Sequence, residues 1–213
     1  MIWKVPRLWQ GETAYVIGGG SSIKDLDLSI LHNERCIAVN NSYMLGDWID
    51  VCWFGDSRWL EWHRTYDQFR EGWKSFTGIK VTCVANCKNH KEIKYIAVSE
   101  KSRGIETDCD KIAWNKTSGG SAINIAYHLG VTKIILVGFD MKVIAGKKNW
   151  HDDHPKREYE TNPYPRFVKV FSDISRDLKS LGVDIINTSL DSAIPEEYIP
   201  KKPLEEVVKN GYI

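Results

Sequence analysis

The chain has 213 residues, with 29 Lys and Arg against 28 Asp and Glu, so its summed charge offers no general attraction to nucleic acid or to an anionic membrane. At 24.4 kDa it is long enough for one substantial core and nothing in its length demands a second, which makes a single domain over 1–213 the starting expectation. Five cysteines, an odd count, together with the lack of a basic-apolar leader or a spanning-length apolar run, point to a reduced, cytoplasmic setting rather than a disulfide framework.

In chain order, Ala14 to Ile17 is a short run of strand formers that ends in Gly18-Gly19-Gly20-Ser21-Ser22. Ile23, Leu26, Leu28 and Leu31 then have a roughly helical apolar spacing, and Cys36 to Val39 reads as a second strand stopped by Asn40-Asn41-Ser42. Val51 to Phe54 is a third strand, ending in Gly55-Asp56-Ser57. Trp59, Trp62, Tyr66 and Phe69 lie three and four apart, which predicts a helix over Arg58 to Phe69. Trp48, Trp53, Trp59 and Trp62 cluster here, as core filler or as the wall of a pocket for a flat ring.

Ile79 to Val84 and Ile93 to Val98 read as further strands. Cys83, Cys87 and His90 between them have a superficial zinc-knuckle look, but a structural zinc needs four ligands and no second pair follows, so no metal is expected. The charged stretch from Glu100 to Lys116 predicts a surface excursion. Ser118 to Leu129 reads as a helix opened by Ser118-Gly119-Gly120-Ser121 and closed by Gly130, and Lys133 to Val137 as a strand buried on both faces, ending in Gly138-Phe139-Asp140. A long, proline-rich and charged loop over about 141–165 follows, of the kind that is functional or disordered. Phe167, Val170, Phe171, Ile174, Leu178 and Leu181 predict an amphipathic helix up to Gly182, Val183 to Ile186 a last strand, and about 188–213 an extended tail with a short terminal helix.

Strands alternating with helices predict an α/β fold: one doubly wound, mostly parallel, Rossmann-like sheet with helices on both faces. In such sheets ligands sit beyond the carboxyl ends of the strands, near the switch in strand order. Four strand ends carry small or polar residues there, and their convergence is the main functional signal.

Each motif has a plain and a functional reading. Gly18 to Ser22 would let backbone amides approach a phosphate, or make a bare tight turn; it is neither a dinucleotide fingerprint nor a P-loop. Ser118, Gly119 and Gly120 present a helix start suited to an anion, or a simple cap. Asn40 and Asn41 would read a base or sugar edge, or only turn the chain. Asp56 and Asp140 would hold ribose hydroxyls, a metal or an acceptor hydroxyl, or cap helices. His151-Asp152-Asp153-His154 is the densest titratable cluster; it suits a general base oriented by a carboxylate, a divalent metal site, or a solvated loop. Lys147, Lys148, Lys156, Arg157, Tyr159 and Tyr164 flank it and would grip a diphosphate, or serve solubility.

Val16 to Ile23, Ala38 to Ser42, and Ser118 to Ala122 leading to Val137-Gly138-Phe139-Asp140 resemble two related groups: the bacterial sialyltransferases of glycosyltransferase family 42, and the MptE-like 6-hydroxymethylpterin diphosphokinase domain. Ile186 to Ala193, then Pro200 and Leu204-Glu205-Glu206, resemble the same groups and numerous uncharacterised phage proteins. The sialyltransferase resemblance implies a nucleotide site for a CMP-type sugar donor at Gly18 to Ser22, Asn40 or Asn41, and Ser118 to Gly120. It also implies a general base at His154 or His151, and leaving-phosphate contacts from Tyr159 and Tyr164. The diphosphokinase resemblance implies magnesium and ATP; its acidic pair near the third strand is here reduced to Asp56.

The expected activity is a nucleotide-dependent transferase: metal-independent sugar transfer from a nucleotide donor to a hydroxyl acceptor, with His154 or His151 as base. The alternatives are a magnesium-dependent diphosphokinase using Asp56 and Asp140, and a non-catalytic phage accessory protein that binds a nucleotide or a protein. A homo-oligomer is compatible with each.

Overall fold

The computed structural model describes residues 1–151 and 162–209. Seven strands, β1 (Thr13–Ile17), β2 (Arg35–Val39), β3 (Val51–Phe54), β4 (Ile79–Thr82), β5 (Ile93–Tyr95), β8 (Lys133–Val137) and β9 (Asp184–Asn187), form one sheet in the order β5-β4-β3-β2-β1-β8-β9. All of its pairings are parallel. The chain builds outward from β1 to β5, then returns to add β8 and β9 on the other side, so the switch in strand order lies between β1 and β8. Two further strands, β6 (Ala97–Val98) and β7 (Lys111–Ile112), pair as a separate ribbon.

The alternation of the strands explains why both sheet faces are covered. Val16, Ile37, Trp53, Ile134 and Leu136 point into one core with α3 (Ser118–Leu129) and α5 (Val170–Ser180). Tyr15, Ile17, Cys36, Ala38, Cys52, Phe54, Ile135 and Val137 point into the other, with α1 (Ser57–Thr65), α2 (Asp67–Ser75) and α6 (Leu204–Lys209). A short helix, α4 (Tyr164–Val168), leads into α5. The sheet is thus doubly wound. Among the described residues no helix is long and apolar enough to cross a membrane.

Several elements differ from the sequence expectation. The apolar spacing from Ile23 to Leu31 forms two 3-10 turns, Ser21–Asp25 and Leu28–Leu31, not one helix. The helix expected over Arg58 to Phe69 breaks at Tyr66, which is extended (φ −88, ψ 124), and α2 continues beyond it. The break lets both arms pack on one buried aromatic cluster: His63 stacks on Trp59 and Phe69 at 3.6 and 4.7 Å, and Tyr43 meets Trp73 edge-on at 5.3 Å. The strand expected over Ile93 to Val98 splits into β5 and β6, and the expected strand to Val84 stops at Thr82. The amphipathic helix expected from Phe167 splits at Lys169 into α4, which begins at Tyr164, and α5.

The charged segment from Glu100 to Lys116 lies mostly on the surface, as the pattern places it, but is pinned to the core at a few points. Ile105, Ile112, Ala113 and Asn115 in it are buried. Buried amides make this affordable. Asn124 Oδ1 accepts from the N–H groups of Glu106 and Ala113, both at 2.9 Å, and its Nδ2 donates to Glu106 O at 3.0 Å. Asn115 accepts from Gly104 N at 2.9 Å and donates to Gly104 O at 3.0 Å. Two side chains stand in for the sheet partners this backbone lacks.

His128 completes the arrangement, with Nε2 placed 2.7 Å from Lys111 O, a contact its N–H supplies. Burial pushes this imidazole below its ordinary value. A histidine whose folded value is depressed binds fewer protons folded than unfolded, so its contribution is complete above about pH 6.5 and is lost as pH falls below that. The melting temperature should therefore drop between pH 7 and 5, and His128→Gln should flatten that drop; a variant that keeps the whole dependence would assign it to other groups.

Candidate functional site

At the switch point the tips of β1 and β8 press directly on one another. Gly18 N donates to Val137 O at 2.8 Å and Gly20 N to Gly138 O at 2.9 Å. A β-carbon on Gly18 or Gly20 would lie 2.6 or 2.5 Å from Gly138 O, closer than real contacts allow. Gly18 and Gly20 are therefore glycines because two backbones meet. Gly19 differs: its missing side chain opens onto a cavity, with only Asn149 Oδ1 within reach at 3.2 Å.

Ser22 and Asp140 brace the turn from behind. Ser22 donates to the Asp140 carboxylate through its N–H at 3.0 Å and its hydroxyl at 2.5 Å, and Asp140 is 2% exposed. Asp140 does not line the cavity, and neither do Ser21 and Ser22. The expectation that Asp140 touches nucleotide or metal is corrected accordingly: its carboxylate is spent on holding the glycine turn. The diphosphokinase reading loses the second of its two carboxylates.

At the tip of β2, Asn40 and Asn41 both line the cavity. Asn41 is 2% exposed, with Oδ1 accepting from Trp59 Nε1 at 2.6 Å, which anchors the strand end to α1. Asn40 has a positive φ of 54, and its buried Oδ1 has no hydrogen-bond partner among the described residues. Next to it, Ser42 Oγ donates to Gly18 O at 2.5 Å and ties the β1 and β2 tips together. Asp56, at the tip of β3, caps α1 by accepting from Arg58 N at 2.9 Å; both residues line the cavity.

The amino end of α3 forms another wall. Thr117, its N-cap, makes no side-chain capping bond, and Thr117, Ser118 and Gly119 all line the cavity. Gly119 is needed for close packing, since a β-carbon there would meet Phe139 Cε1 at 2.7 Å. Gly120 faces the protein interior instead, 2.8 Å from Asn115 Cβ by the same construction, and is not part of the lining. The amino end of α3, with its first-turn amides and the positive end of its dipole, thus lies at the cavity.

The segment after β8 folds back as a roof. Trp150 N donates to Gly19 O at 3.0 Å and Trp150 Nε1 to Ser42 Oγ at 3.3 Å. This brings Lys148, Asn149 and His151 to the cavity; Tyr164 joins them, its hydroxyl donating to Lys148 O at 2.8 Å. His154 and Tyr159 lie outside the described residues, as do Asp152 and Asp153.

The enclosed volume is about 520 Å³, within the range of small-molecule sites. Its described lining carries Arg58, Lys116 and Lys148 against one carboxylate, Asp56. With the helix end added, the field suits an anion. Among the described residues no group of three or more His, Cys, Asp or Glu is placed to hold a metal ion.

Sequence reasoning missed Trp114, Lys116, Thr117 and Phe167 in this lining. Trp114 and Lys116 directly precede the Ser-Gly-Gly-Ser helix start, and that adjacency was the available signal. The earlier tryptophan cluster is not the wall: Trp53 and Trp59 are core, and Trp48 stacks on His32 at 5.2 Å.

No protein-family model and no curated protein matches the chain. Solved structures share its fold. CstII, a sialyltransferase from Campylobacter jejuni in complex with the substrate analogue cytidine-5'-monophosphate, aligns with a TM-score of 0.59 at 14% identity, over 91% of this chain and 86% of its own. An α-2,3-sialyltransferase from Campylobacter jejuni in its apo form aligns with a TM-score of 0.52 at 18% identity, over 90% and 80%. The MAf glycosyltransferase from Magnetospirillum magneticum AMB-1 reaches 0.61 at 14% identity, with 95% of this chain covering 35% of that protein. At these identities the likeness establishes a fold shared with glycosyltransferases.

Proposed function

We propose that the chain is a nucleotide-dependent glycosyltransferase that moves a sugar from a CMP-type donor to an acceptor hydroxyl without a metal ion. One observation carries the reading: the cavity at the β1/β8 switch is lined by an open glycine tip, a helix start without a side-chain cap, Lys116 and Lys148, with Arg58 beside Asp56 at 3.6 Å. Positive groups already positioned there would stabilise the charge that develops on a departing nucleotide phosphate, which is the task a metal would otherwise perform. The shared fold supports the same reading, because one of the sialyltransferases that has it was determined with cytidine-5'-monophosphate.

In this reaction the acceptor oxygen forms a bond to the anomeric carbon as the bond from that carbon to the phosphate oxygen breaks. The proton of the acceptor passes to an imidazole, His154 or the cavity-lining His151. The electron pair of the broken bond leaves with the nucleotide, near Lys116 and the amino end of α3.

A thermal-shift series with CMP, CDP, UDP, GDP and ATP, each with and without magnesium, tests the proposal, since a ligand of the folded state raises its apparent stability. CMP should stabilise equally in EDTA and in magnesium. Lys116→Ala should weaken CMP by about 10-fold, the size of a charge-assisted hydrogen bond lost. Stabilisation by ATP alone, and only with magnesium, would overturn the reading.

A further inference from the structure

We propose that Trp114 is the platform on which the nucleobase of the bound nucleotide stacks, an inference that rests on the nucleotide reading above. Of the exposed large apolar side chains among the described residues, Trp114, at 38% relative exposure, is the one that lines the cavity. A tryptophan left with that much ring in water forgoes burial free energy that a core position would recover. Its six-membered ring meets the tip of β3 at Gly55, where a β-carbon would lie 3.4 Å from both Cη2 and Cζ3. That is ordinary contact distance, so the β3 tip forms one side of the place where the ring sits.

The backbone that carries the ring is held in a costly shape. Asn115 and Lys116 both have φ of 53, the left-handed region, which Asn tolerates and Lys avoids. Surrounding bonds enforce it: the Asn115 amide is clamped to Gly104 at 2.9 and 3.0 Å, and Ser121 Oγ donates to Trp114 O at 2.9 Å. A strained residue such as Lys116, held by surroundings that over-determine it, is a mark of a functional segment. Here they let Trp114, Lys116 and Ser118 open on one cavity. A flat π face, a cation and free helix amides within five residues match the two ends of a nucleotide, its base and its phosphate.

Calorimetric titration of the wild type, Trp114→Ala and Trp114→Phe with CMP and with ribose 5-phosphate, which has the phosphate but no base, tests the assignment. Trp114→Ala should weaken CMP by about 5- to 100-fold, the scale of a lost base–aromatic stack. Trp114→Phe should return it to within about threefold, since a smaller ring still stacks. Ribose 5-phosphate should bind all three proteins alike. Equal loss of both ligands, or unchanged CMP affinity, would overturn the platform. If Lys116→Ala weakens CMP while Trp114→Ala does not, the nucleotide reading stands and the platform falls; if the wild type binds neither ligand, both fall. Ligand-free melting curves control for folding, and Trp114→Phe keeps the test open if the alanine variant does not fold.

Discussion

Replacing His154 by alanine is expected to lower turnover by about 10²- to 10⁴-fold, the usual worth of a positioned general base, while CMP affinity stays within about twofold. In the proposed reaction the two effects would separate, because the base would act on the acceptor proton while other groups would hold the phosphate. His151 lines the cavity beside Lys148 and Asn149, so His151→Ala belongs in the same experiment. A large loss in His151→Ala with normal turnover in His154→Ala would move the role to His151. Full activity in both would remove imidazole from the mechanism.

Replacing Asn124 by alanine is expected to cost about 2–5 kcal/mol of stability, because it strands the N–H groups of Glu106 and Ala113 that its Oδ1 accepts. Urea denaturation measures the loss as a lower midpoint at unchanged slope. Asn124→Leu is the informative partner: it restores volume and adds apolar surface but still leaves both donors unpaired. Equal destabilisation of the two variants identifies the hydrogen bonds as the cause, whereas recovery in the leucine variant would show that only packing mattered. The segment these bonds support leads directly into Trp114 and Lys116, so nucleotide affinity should fall along with stability. A structural asparagine outside the cavity lining would thereby set the geometry of the proposed phosphate site.

Much of the site was legible because its signals are local. Gly18 to Gly20, Asn40, Asp56, Ser118 and Gly119 all follow or open a regular element, and strand-end chemistry is written in neighbouring residues. The charged segment over 100–116 was legible as a surface excursion, but its anchoring was not. The anchors are two amides, Asn115 and Asn124, whose side chains bond the backbone of Gly104, Glu106 and Ala113, and hydrophobic patterning carries no mark of them. Asn41 was half legible, since the same residue type that reads a base edge also pins a tryptophan indole.

By itself the sequence determined that short buried strands alternate with helices and that several strands end in small polar residues, because apolar runs and glycine-rich turns act over a few neighbours. Only the tertiary structure decided the strand order that brings the β1 and β8 tips together. It also decided that Asp140 turns inward to Ser22, 118 positions away, and that Trp114 faces the cavity while Trp53 and Trp59 fill the core. Those choices rest on contacts between residues far apart along the chain, where local spacing has no influence and close packing of backbone on backbone selects the partner.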